Sequence, residues 1–242
     1  MTHSSQRRGL DPSGACKELC IIGMIPRSAF KKRGIKSAMC QLARKMLAHA
    51  PDNFIFRDFT EITIPNLGAS QKLLKWLHKY RPGAANHVVL WILAHTRSGL
   101  SAVYTDIDAV KELIEDLAGD WRGRNKKKRW PVSIVLSGLP EDIHACCQQA
   151  GLVEHTYLHS LDVFGTVENL PSEDELSLIT MCGHGLVASA RVKHLVERIR
   201  KGKLTPQKAA ADIAKPCVCG IVNKQRAEAI FARLASNADS EG

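Results

Sequence analysis

Two short cysteine turns near the C-terminus constrain this chain more than any other feature. Met181-Cys182-Gly183-His184-Gly185 closes a run that reads as a strand, and Pro216-Cys217-Val218-Cys219-Gly220 separates two runs that read as helices. Together they offer three thiols and an imidazole on glycine-flanked turns, where tight backbone holds the side chains in place. Thiolate and neutral imidazole are the usual ligands of zinc, and thiolates with bridging sulfide those of iron. If both turns serve one centre, the fold must bring them together across the intervening helices.

The turn residues support such a centre. Gly183, Gly185 and Gly220 relieve steric limits, so backbone amides can point inward at a sulfide, an anion or another ligand. They are read as cofactor-binding positions, with Cys182, His184, Cys217 and Cys219 as the metal ligands. His184 is expected at the start of the following helix, whose positive end would favour a thiolate at Cys182. Three Cys and one His satisfy tetrahedral zinc, while a further thiol from Cys16 or Cys20 would complete a four-thiolate cluster. The spacings Cys-x-Cys and Cys-x-His depart from the Cys-x2-4-Cys of most zinc motifs, which leaves iron–sulfur ligation open.

Cys182 also admits metal-free chemistry. On a strand-to-helix turn it would be a nucleophile, as in Gly-x-Ser-x-Gly, although M-C-G-H-G lacks the first glycine. His184, or a distant His155 or His159, would then be the base, and the amides of Gly183 and His184 would stabilise an oxyanion. Cys217 and Cys219 would become a redox or resolving pair. Among the remaining thiols, Cys16 and Cys20 would share a face if C-K-E-L-C were helical. Cys40, Cys146 and Cys147 read as small core hydrophobes. His155 and His159 otherwise read as polar surface or hydrogen-bonded core.

Composition narrows the class. A chain of 242 residues with 45% hydrophobic and 24% charged residues can bury a real core. The longest aliphatic run, residues 88–94, is far short of the roughly 20 residues a spanning helix needs. The opening residues hold no apolar stretch of the signal-peptide kind. A cytoplasmic location follows as the expectation, with reduced thiols suited to metal or catalysis rather than to disulfides. The net charge of +10 is concentrated in residues 1–36 and in the run W-R-G-R-N-K-K-K-R-W at 121–130, each carrying +6. Trp121 and Trp130 could stack on bases, but two isolated clusters argue weakly for a nucleic-acid partner. They read better as a solvated loop anchored by its tryptophans. No P-loop, G-x-G-x-x-G or H-E-x-x-H is present, which disfavours nucleotide-dependent and zinc-protease chemistry.

Hydropathy periodicity predicts helices at residues 36–49, 71–80, 105–117 and 141–150. Extended segments are expected at 53–63, 87–95, 132–137, 152–161 and 175–181. This alternation predicts an α/β fold with a mostly parallel sheet flanked by helices. A C-terminal helical, cysteine-bearing segment follows, with helices at 186–201, at 206–214 behind a Thr205 cap, and from Asn223 onward. The expected division is a disordered lead (1–15), an α/β domain (16–181), a helical metal-binding segment (182–236) and a disordered tail (237–242). The C-terminal helices should clasp the carboxyl edge of the sheet, burying Leu195, Ile199, Ile213, Ile230 and Phe231.

The reading that results is a cytoplasmic metal-binding protein, iron–sulfur or zinc, whose centre would support redox or metal-dependent catalysis. A metal-free cysteine enzyme and a nucleic-acid-binding module are the alternatives. An unidentified small molecule or protein is the implied partner, with nucleic acid disfavoured and no membrane.

Overall fold

The computed structural model describes residues 8–11, 13, 17–25, 29, 34–54, 99–123, 132–154, 156–158, 164–217 and 219–237. Within them the order is β1 (Leu19–Met24), α1 (Ile35–Ala48), β2 (Asn53–Phe54), β3 (Gly99–Tyr104), α2 (Ile107–Gly123) and β4 (Ser133–Ser137). Then come α3 (Pro140–Gln149), α4 (Glu173–Ile179), α5 (Ser189–Arg200), α6 (Pro206–Ala214) and α7 (Lys224–Ser236). Among the described residues, no helix is long and apolar enough to cross a membrane.

The sheet has the order β2-β3-β1-β4, and every neighbouring pair is antiparallel. The expected mostly parallel sheet is not formed. Leu19 faces Tyr104 across β3, and Cys20 faces Ser137 across β4. Since β3 and β4 both run opposite to β1, they run parallel to each other, as a strand–helix–strand crossover requires. The alternation predicts that relation for the runs 87–95 and 132–137, and the first of these lies outside the described residues. β1 comes from the N-terminal side and takes the gap between β3 and β4. Neither β1 nor β3 is among the expected strands.

β1 (L-C-I-I-G-M) is buried along all but its last residue. Leu19 and Ile21 join one core with Leu100, Ala102, Tyr104 and the apolar faces of α1, α2 and α3. Cys20, Ile22 and Val103 project to the opposite face and join a second core formed by α4 to α7. A continuous apolar run marks a strand covered on both faces and is indifferent to strand direction once helices cover both.

Two extended expectations are corrected. Residues 175–181 lie largely in α4, because Ser172 caps a helix by accepting from the Glu175 N–H at 3.4 Å and Glu173, Asp174 and Glu175 fill its first turn. Acidic residues there favour the helix dipole, and the S-E-D-E string is the capping signal that overrides the L-S-L-I alternation. Residues 152–154 and 156–158 form no strand. The helices at α1, α3, α6 and α7 match their expected spans closely, and α2 starts as expected, Asp106 accepting from the N–H groups of Asp108 and Ala109. α2 then runs on to Gly123, into the basic run, while α5 starts only at Ser189. The expected helix at 71–80, the strand at 87–95, the basic residues 124–130, Cys16, His155 and His159 lie outside the described residues.

The C-terminal helices cover a sheet face rather than an edge. Leu195, Ile213, Ile230 and Phe231 are buried there, and Ile199 partly so. A polar set ties this layer to the sheet. Glu18, fully buried just before β1, accepts from Arg226 at 2.7 Å on one oxygen and from the Asn223 side chain at 3.0 Å on the other. Asn223 also caps α7 by accepting from the Arg226 N–H at 3.0 Å, and the Arg226 guanidinium donates to the Arg8 carbonyl.

Removing one partner of a buried ion pair leaves an uncompensated charge, at a cost of about 3–5 kcal/mol. Arg226→Met is therefore expected to lose about that much in urea unfolding, and Glu18→Gln/Arg226→Met to recover most of it. A double variant as unstable as the sum of the singles would show that the pair is not coupled.

Candidate metal centre

The first cysteine turn leaves the end of α4. The Thr180 N–H returns to the Leu176 carbonyl at 2.9 Å, and the Gly183 N–H to the Thr180 carbonyl at 2.9 Å, which folds Met181 and Cys182 into a tight turn. Gly183 continues it with φ 72° and Gly185 with φ 65°, in the left-handed region that glycine adopts without a Cβ penalty. Met181 and Cys182 are buried in the second core. Cys182 thus stands at the end of a helix, not of a strand, and the strand-to-helix elbow expected for a nucleophile is absent. His184 precedes Ser189, the first residue of α5, by several positions, so it does not occupy the start of that helix as expected.

The second turn leaves α6. Cys217 donates its N–H to the Ala214 carbonyl at 3.1 Å, and Pro216 prevents the helix from continuing. Gly220 turns the backbone with φ 73° toward Asn223 and α7. The turn rests on the sheet: the Ser101 hydroxyl on β3 donates to the Cys219 carbonyl, and the Asn53 amide on β2 donates to the Val222 carbonyl at 2.8 Å.

All four expected ligands meet. Cys217 Sγ lies 3.5 Å from Cys219 Sγ, and Cys219 Sγ lies 3.6 Å from His184 Nδ1. The Cys182 thiol shares hydrogen bonds with both Cys217 and Cys219. The charge settles unevenly. Cys182 and Cys219 hold the Cys217 thiol far below its ordinary pKa by hydrogen bonding, helped by backbone N–H groups of Val222 and Ile221. Cys219 is pushed far up, by Cys182 and Cys217 first and then by burial. Cys182 is also raised, chiefly by its contact with Cys217. One thiolate is thus stabilised by two S–H neighbours, and the next proton cannot leave beside an existing negative charge.

A tetrahedral ion with Zn–S bonds of about 2.3 Å and a Zn–N bond of about 2.0 Å holds two sulfurs about 3.8 Å apart and a sulfur–nitrogen pair about 3.5 Å apart. The spacings of 3.5 Å and 3.6 Å fall close to both. As the side chains stand, however, no group of three or more His, Cys, Asp and Glu among the described residues is placed to hold a metal ion. These two spacings fit such an ion, and the enclosure by three or more donors does not.

The other thiols fall into place around this cluster. Cys20 lies in β1, fully buried, on the sheet face that α4 to α7 cover, and not on a helix shared with Cys16. Burial pushes Cys146 up to about 11 and Cys147 up to about 12, and raises Cys40 as well, in keeping with a packing role. Sequence reasoning missed Glu18, Asn53, Ser101 and Arg226. Asn223 is legible as a cap, but its hold on Glu18 spans 205 residues and leaves no local signal.

Because neighbouring thiols hold its pKa far below the ordinary value, the Cys217 thiol is expected to ionise at neutral pH in metal-free protein. Its alkylation by iodoacetamide is expected to persist down to about pH 5, where an ordinary thiol near 8.5 slows by about a thousandfold. Peptide mapping of the modified protein across pH checks this. A Cys217 rate that falls in step with that of unfolded protein would contradict the assigned charge.

Compared with protein-family models, with curated proteins and with solved structures, the chain matches none.

Proposed function

We propose that the chain is a metal-binding protein whose centre is built by Cys182, His184, Cys217 and Cys219, and that it takes a single zinc-type divalent ion. The observation that carries this reading is the convergence of three sulfurs and one ring nitrogen from two glycine-bearing turns, at spacings close to those of a tetrahedral site. Three thiols and one imidazole match the Cys3His donor set of a single tetrahedral ion. Four protein donors leave no coordination position for substrate, which is the arrangement of an ion that holds structure. Such an ion would join the end of α4 to the turn between α6 and α7 and so close the helical layer over the sheet. Unlinked thiols in contact fit a reducing, cytoplasmic setting.

Metal and labile sulfide measured on protein purified without oxygen test the reading. One zinc-type ion per chain and no sulfide is the expected result. Labile sulfide would replace the single ion with an iron–sulfur cluster, and sub-stoichiometric metal without sulfide would sink both. Because unfolded thiols bind an ion less tightly, free metal at about 100–1,000 times Kd should stabilise the fold by about 2.7–4.1 kcal/mol. Cys217→Ser/Cys219→Ser should abolish that gain and lower Tm relative to metal-loaded parent. A chelator should lower the parent's Tm and leave the variant's unchanged.

A further inference from the structure

We infer that Ser101 on β3 and Asn53 on β2 are positioning residues of this metal centre, setting its affinity by holding the second ligand turn against the sheet. The inference rests on the metal-binding reading. It adds two residues that lie 118 and 169 positions from what they hold.

Both sit where a strand beneath packed helices would ordinarily present an apolar side chain. Asn53 faces Val103 across the β2–β3 ladder, and Ser101 is two residues along β3 from Val103, on the same face. Val103 itself belongs to the second core. Ser101 is 4% exposed and Asn53 8%. A polar group buried there must be satisfied, and so must the carbonyls of a tight turn that has no ladder partner. Each answers the other: the Ser101 hydroxyl donates to the Cys219 carbonyl, and the Asn53 amide to the Val222 carbonyl.

What these bonds fix is the ligand geometry. Ser101 holds the backbone of Cys219, whose sulfur contacts both Cys217 and His184. Asn53 holds Val222, whose N–H donates to the Cys217 sulfur. The two bonds therefore act on the orientation of both thiols of the Cys-x-Cys pair without touching the ion. Partners of this kind typically change metal affinity by about 10–100-fold when removed.

The test is zinc affinity by competition with a chromophoric chelator, together with the visible spectrum of the cobalt(II)-substituted protein, which reports ligand geometry directly. Ser101→Thr and Ser101→Val carry side chains of equal size that differ in the hydroxyl. The threonine variant should bind zinc as the parent does, and the valine variant about 10–100-fold more weakly, with altered cobalt bands. Asn53→Ala should weaken binding to a similar degree. Equal zinc affinity for parent, Ser101→Val and Asn53→Ala would overturn the inference while leaving the metal site standing, and so would equal losses in the valine and threonine variants, which would reveal a volume effect. A parent that binds neither zinc nor cobalt takes the metal reading down and this inference with it. Far-UV circular dichroism confirms that each variant is folded, and the threonine–valine comparison decides the matter if Asn53→Ala is not.

Discussion

Glu18 carries a carboxylate into the interior at the foot of the central strand, and the C-terminal layer is built around its compensation. An ionised carboxylate away from water is tolerated only when it is paired and its oxygens are hydrogen-bonded. Arg226 takes one oxygen and Asn223 the other, and Asn223 at the same time starts α7. The entry to β1, the start of α7 and the end of the second cysteine turn are fixed relative to one another by one set of directional bonds. Hydrophobic contacts between α7 and the sheet would tolerate sliding, because burial of apolar area is non-directional. Hydrogen bonds to a buried charge do not. That fixed point is what allows Cys217 and Cys219 to arrive opposite Cys182 at contact distance.

The thiol cluster poses a second problem of compensation. Three sulfurs within hydrogen-bonding reach of one another cannot all ionise without a cation, so one proton leaves readily and the others are retained. Elsewhere, at Cys40, Cys146 and Cys147, desolvation is the largest of the effects that keep the proton on. The contrast separates packing cysteines from the converging set on physical grounds.

The sheet has two different duties on its two faces. One face packs against α1, α2 and α3 with apolar side chains and a Tyr104–Met46 hydrogen bond at 2.7 Å. The other supports α4 to α7 and contributes Ser101 and Asn53 to the turn that carries Cys217 and Cys219. Both faces are covered, yet only one is asked for directional chemistry. Residues that violate the apolar rule of a covered face, such as Asn53 and Ser101, are where that chemistry is anchored.

The sequence by itself determined the local features: where α1, α3, α6 and α7 lie, that Thr205 caps α6 and Asn223 starts α7, and that two glycine-bearing turns present Cys182, His184, Cys217 and Cys219. Helical periodicity, N-cap chemistry and the left-handed turns of Gly183 and Gly220 are governed by near neighbours, so they are legible from residues a few positions apart. Only the tertiary structure decided that β1 inserts antiparallel between β3 and β4, and that α4 forms where alternation suggests a strand. It alone paired Glu18 with Arg226 and set Asn53 and Ser101 beneath the second turn. Each of these choices depends on partners distant in sequence or, for α4, on a capping interaction outweighing a pattern. Strand direction and buried pairing are set by which surfaces meet, and a run such as L-C-I-I-G-M shows that it will be covered on both sides without showing by what.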